Sequence, residues 1–238
     1  MKIEGLKHLS RLDIEDKTIK LLQYYNSSYF QFARSTPLLK IVAFLQEKHD
    51  IFFDFKATLG FSENGYRILG AFNPAKRVVL IDSSLSDDEC KFNFTLGHEL
   101  GHLALHRNVK IYYTDEKDPE ELNETINEEL GGKNRLTCDA QWIEWQANYY
   151  ASSLLMPQDI LKTALVQVQK DIGIRCSGNI YVDEQPCNKT DYYSIIGQLS
   201  TFFKVSKSAL EFRLMKLDLI NDNRKKILRI GQILDLPK

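Results

Sequence analysis

The sequence predicts an α+β fold, with helices packed around a small antiparallel sheet and a helical pair towards the C-terminus. Three observations predict it. Apolar residues recur at helical spacing in several segments, three short strand-like stretches fall together between residues 51 and 82, and from Asp191 the chain reads as helix, turn and helix. Taken in order, residues 17–33 have helical character. Thr36 and Pro37 then form an N-cap and N1 pair, after which Leu38, Ile41, Val42 and Leu45 mark one face of a helix running to about His49. Strands are expected at Ile51–Lys56, Tyr66–Phe72 and Arg77–Asp82. The last two are joined by Asn73-Pro74-Ala75-Lys76, a turn signal, and so read as a hairpin. Ser86-Asp87-Asp88-Glu89 reads as a capping box that starts the next helix, in which Leu96, Leu100 and Leu103 form the apolar stripe.

That helix carries the chemistry. His98-Glu99-Leu100-Gly101-His102 is an H-E-x-x-H pattern, and residues four apart on a helix lie one above the other. Two imidazoles can therefore meet one metal ion, with Glu99 beside it where a general base is wanted, the arrangement of zinc metalloproteases. A catalytic zinc needs a third protein ligand. On a straight helix His106 lies about 12 Å along the axis from His98, too far to share the ion. The extended pattern H-E-x-x-H-x-x-G-x-x-H is excluded, because Leu105 and Asn108 stand at its Gly and His positions. His106 reads as a polar residue near the helix end or as a partner behind a ligand. Glu144 is the better third ligand. Glu144, Ala147, Asn148, Ala151 and Leu155 share one face of a helix stopped by Pro157, setting a carboxylate and an amide, with small residues between, against a neighbouring helix. Asn148 could fix the tautomer of a metal-bound histidine. The plain alternative is an ordinary core helix with an exposed Glu144. A small sheet leading into such a helix is the zincin layout, with Arg77–Asp82 as the candidate edge strand for a substrate backbone.

The run F-T-L-G-H-E-L-G-H-L-A-L-H from Phe94 to His106, followed by E-x-x-A-N-x-x-A-x-x-L-L-M-P from Glu144, resembles the ImmA/IrrE family of metallo-endopeptidases. So does the late pattern carried by Phe203, Val205, Ser206, Ala209, Arg213 and Leu214. The resemblance implies a zincin-like fold, one zinc ion held by His98, His102 and Glu144, and Glu99 as catalytic base. It further implies a narrow protein substrate, an XRE-type helix-turn-helix repressor whose cleavage switches on stress-response or mobile-element genes. Departures are Gly97, where the family usually has Ala, and long stretches between His106 and Glu144 and between Ile172 and Asp191.

The remaining features fill in the organisation. The expected division is an N-terminal helical extension (1–35), a zincin-like metallopeptidase domain (36–172), an insertion loop (173–190) and a helix-turn-helix-like subdomain (191–238). Segment 115–129 holds eight acidic residues against one lysine, which reads as a solvated flap or as a lid favouring a basic substrate. The net charge of −1 gives no overall basic field for nucleic acid. A local excess of nine Lys/Arg over five Asp/Glu after residue 190 raises a DNA-binding alternative. A regulator or anti-repressor acting without proteolysis is the rival reading, and direct DNA binding is not expected. There is no long apolar run for a signal peptide or membrane span, and the four scattered cysteines suggest a cytoplasmic enzyme with reduced thiols, although Cys176 and Cys187 could pair under oxidation. Tyr112, Tyr113, Tyr149, Tyr150 and His106 are all chemically able to stabilise an oxyanion.

Overall fold

The computed structural model describes residues 2–62, 65–112, 138–175 and 177–224. The acidic segment 115–129, Tyr113, Cys176 and the basic residues Lys225, Lys226 and Arg229 lie outside the described residues. The architecture is α+β. Strand β1 (Lys2–Glu4) leads into helix α1 (Arg11–Tyr25). This helix starts earlier than the expected 17–33, because Ser10 and Asp13 form a reciprocal capping box, and it stops at Asn26, whose side chain turns back to accept from the Ser28 N–H. Helix α2 (Leu38–His49) buries Leu38, Ile41, Val42 and Leu45, the expected face. Thr36 does not cap it. Pro37 stands at the N-cap position, and the Thr36 hydroxyl donates instead to the Leu154 carbonyl at 2.7 Å.

The sheet holds β2 (Phe52–Ala57), β3 (Gly70–Asn73) and β4 (Val78–Asp82) in the order β2-β4-β3. The hairpin β3–β4 is antiparallel as expected, but β2 runs parallel to β4, so the sheet is mixed. Parallel neighbours cannot be joined by a tight turn. The chain between β2 and β3 is long enough to carry β3 past the slot that β4 then fills. The expected edge strand, Arg77–Asp82, is thus the central one, and β2 and β3 are the edges. Asp82 secures the long connection: its carboxylate accepts from the Leu59 and Ser84 N–H groups at 2.9 and 3.0 Å and pairs with Arg67.

Helix α3 (Glu89–Gly101) begins later than the capping-box reading implied. Ser86 closes the preceding short turn on the Ser83 carbonyl, and Asp88 is the N-cap, accepting from the Lys91 N–H. One wide π-helical turn (His102–His106) extends α3, and strand β5 (Lys110–Tyr112) then pairs antiparallel with β1. Helices α4 (Asp139–Leu155) and α5 (Gln158–Asp171) are divided at Met156-Pro157. The expected insertion loop 173–190 contains strand β6 (Ile180–Val182) and the start of α6 (Pro186–Phe203). Ile180 and Val182 are buried either side of an exposed Tyr181, and Pro186 suits a first helical turn. Helix α7 (Lys207–Lys216), capped by Ser206, leads to β7 (Ile220–Asp222), which pairs parallel with β6.

One continuous apolar core runs from Ile14 and Leu22 of α1 through Leu96 and Leu100 of α3 to Leu210 and Leu214 of α7. A polar clamp is embedded in it. The Arg213 guanidinium, 1% exposed, donates to both carboxylate oxygens of Glu15 at 2.6 and 3.0 Å and to the Met156 carbonyl at 3.1 Å. Tyr149 adds its hydroxyl to Glu15 at 3.0 Å. Removing one partner of such a pair leaves a buried charge unmatched, which costs far more than the pair contributes beside apolar substitutes. Arg213→Ala should therefore destabilise the fold by about 3–5 kcal/mol in urea unfolding. The double substitution Glu15→Leu/Arg213→Met should recover much of that loss. A double variant as unstable as the single would show that volume, and not charge, is what Arg213 contributes.

Candidate metal centre

Helices α3 and α4 cross closely because the contacting residues are small. A Cβ on Gly101 would lie 3.0 Å from both the Cα and the carbonyl oxygen of Ala147, and one on Gly97 would lie 3.2 Å from the Cβ of Ala151. At that spacing Glu144 and Asn148, on the face of α4 that carries Ala147 and Ala151, reach the histidines of α3.

Three side chains converge. His98 Nε2 and His102 Nε2 are 2.9 Å apart, and the Glu144 carboxylate lies 3.3 Å from the first and 3.6 Å from the second. One ligand atom from each residue falls within 4.8 Å of the other two. Two imidazoles and one carboxylate, partly open to solvent, form a donor set of the kind that binds a metal while leaving a position for another ligand. The electrostatics fit that use. Burial and the neighbouring imidazoles push the His102 pKa down, keeping it neutral. Burial opposes the charge on Glu144, but hydrogen bonding from His98 and the field of the other histidines keep it a carboxylate. Burial also works against a charged His98, and the adjacent Glu144 more than reverses this.

The partners behind these groups are well defined. His98 Nδ1 lies 2.9 Å from Asn148 Oδ1. The π-helical turn brings His106 back against His102, with the two Nδ1 atoms 3.1 Å apart, and His106 Nε2 is 3.1 Å from Gln146 Oε1. His106 is not part of the converging set. Its ring, like Tyr150, is buried, and the Tyr149 hydroxyl is committed to Glu15, so two of the five oxyanion candidates have other partners and a third is buried. Tyr113 and the side chain of Tyr112 lie outside the described residues.

Glu99 lies under the edge strand β3, within the fields of His98 and Glu144. It is 5% exposed, and burial, reinforced by Glu144 and opposed by His98, lifts its pKa to about 7. A carboxyl poised there can both take and give a proton near neutrality. Gly70 of β3 makes room for it: a Cβ at that position would lie 2.5 Å from Glu99 Oε1. Sequence reasoning missed Gly70 and Gln146. The signal for Gly70 was a glycine inside a strand pattern, which often marks a close approach. The signal for Gln146 was a neutral polar residue beside the Glu144 face. A Cβ at Gly70 would also lie 2.8 Å from Thr95 Cγ2 and 2.9 Å from Glu99 Cγ, so Gly70→Ala should push the Glu99 side chain away from β3 and ease the strand off α3. A crystal structure of the variant with Glu99 unmoved would refute this packing account.

The family model Peptidase_M78, described as an IrrE N-terminal-like domain, matches residues 47–215. Among solved structures, a Mycobacterium tuberculosis transcriptional regulator is similar at 14% identity and a TM-score of 0.46, over 84% of this chain and 46% of that one. The chain therefore spans less than half the length of that regulator. No curated protein matches.

Proposed function

The chain belongs to the ImmA/IrrE peptidase family, and on that footing we propose that it is a zinc-dependent endopeptidase cleaving a helix-turn-helix repressor of the XRE type. The observation that carries this reading is the convergence of His98, His102 and Glu144 beside a buried Glu99. Zinc held by those three side chains would supply Lewis-acid activation of water and of the scissile carbonyl. Glu99 takes the proton of the attacking water on its carboxylate and returns it to the departing amine. Asn148 holds the His98 ring in place. Strand β3 is the sheet edge beside Glu99, and among the described residues nothing pairs with its outer side. An extended substrate added there would run past the proton carrier.

The DNA-binding alternative gains nothing from α7. Arg213, one of its three basic residues, is buried against Glu15, and Lys216 lies over the Phe212 ring at 4.9 Å. Only Lys207 projects freely from the helix that would have to enter a groove. Among the described residues no helix is long and apolar enough to cross a membrane.

The test uses the full chain and a purified helix-turn-helix repressor encoded beside it. The wild type should carry close to one zinc per chain, and His102→Ala and Glu144→Ala should each lose most of it. Glu99→Gln should keep the metal while cleavage falls by roughly 10²–10⁴-fold, the range of general-base contributions. Undiminished cleavage by Glu99→Gln would remove the proposed base, and full zinc occupancy in Glu144→Ala would remove the proposed third ligand. Repressor release without any cleaved product would favour an anti-repressor that acts by binding.

A further inference from the structure

Two buried polar side chains connect the N-terminal segment to the metal centre, and the mechanism above does not use them. Gln146 is fully buried on α4, and its Nε2 donates to the Lys7 carbonyl at 2.8 Å. A carbonyl can only accept, so the amide has one permitted orientation, with Oε1 towards His106 Nε2 at 3.1 Å. That oxygen also only accepts, so the hydrogen on this bond belongs to His106 Nε2. The neutral ring is left with a bare lone pair on Nδ1, and this atom faces His102 Nδ1 at 3.1 Å. Two bare nitrogens would repel, so His102 carries its hydrogen on Nδ1. Its Nε2 lone pair then faces the His98 Nε2 at 2.9 Å, and because His98 turns its Nδ1 to the Asn148 oxygen, the two lone pairs meet beside Glu144 in an arrangement that a shared cation would satisfy.

We infer that Gln146 and His106 are positioning residues which, anchored on the Lys7 backbone carbonyl, set the His102 tautomer and present its Nε2 to a metal. The inference rests on the metal reading proposed above. Each hydrogen bond in the relay has one donor and one acceptor, and its direction is decided at the far end by a backbone group that cannot reverse. The anchor is itself held from both sides. Strand β1 pairs with β5 just beyond the π-helical turn, Gly5 passes close to the Asn108 carbonyl in a left-handed conformation, and His8 stacks on Trp142 with ring centroids 5.0 Å apart. Lys7 lies well upstream of residue 47, where the family match begins, so this support is contributed by a part of the chain outside the matched domain.

Zinc affinity of the full-length protein, measured by competition with a chromophoric chelator, is the first readout. Gln146→Met and His106→Leu should each weaken binding about tenfold, the lower end of losses seen when a ligand's outer partner is removed, and the double variant should be no weaker than either. His106→Asn, which sets an amide oxygen near the place of Nδ1, should stay within about threefold of the wild type. The second readout is a long-range proton–nitrogen correlation spectrum of the imidazoles in the zinc-free wild type, which needs no variant to fold. It should show His102 protonated on Nδ1 and His106 on Nε2. The opposite tautomers, or unchanged affinity in Gln146→Met, would overturn the relay while leaving the metal site standing. Correct tautomers in a wild type that binds no zinc would instead bring down the metal reading, and with it the role assigned to the relay.

Discussion

The candidate site depends on how closely α3 and α4 approach each other. Glycines at 97 and 101 face alanines at 147 and 151, and at Gly101 even a methyl group would press on the partner's backbone. Close-packed interiors do not yield to such intrusions without shifting whole elements. The crossing therefore fixes where a carboxylate on α4 stands relative to imidazoles on α3. Glu144 and Asn148 are useful only because the chain between them and the histidines is nearly bare of side chain.

Such a crossing leaves polar groups only partly open to solvent, and the surroundings settle each of them. Asn148 meets one histidine, His106 the other, and Glu144 remains charged because it lies between two imidazoles. Glu99 is the exception. It sits beneath β3 with no cation of its own beyond the influence of His98, and burial raises its pKa where the same burial fails to neutralise Glu144. Two carboxyls, one next to His98 in sequence and the other brought against the same histidines by the fold, are thus driven to different protonation behaviour, as acid–base chemistry requires of neighbouring groups.

Much of this was legible in the sequence because it is local. The face Leu38, Ile41, Val42 and Leu45, the hairpin across Asn73–Lys76 and the row from Glu144 to Leu155 are read from spacing within a single element, and the structure places them accordingly. Order within the sheet was not legible. Strand β2 pairs with β4 in parallel, and nothing in either strand's alternation records which neighbour it will have or in which direction. Partnerships between distant residues were equally silent: Glu15 fell outside the helical stretch expected at 17–33, and Gln146 held an unspecified position inside the motif that begins at Glu144. Helix starts were misplaced where two capping signals compete, as at Ser86 and Asp88, because only the backbone decides which side chain finds a free N–H.

The clamp between Glu15 and Arg213 joins residues 198 positions apart. During synthesis α1 leaves the ribosome early, yet its buried carboxylate has no cation to meet until α7 follows. Docking α1 before then would strand a charge in an apolar environment, so this helix gains by waiting. The Lys7 carbonyl is carried on the same segment and waits with it. Closing so long a loop is slow, because its entropy is spent before the contact returns anything. A chain halted before α7 would hold the histidines and Glu144 without the settled N-terminus behind them, and completion of the chain becomes a condition for completion of the site.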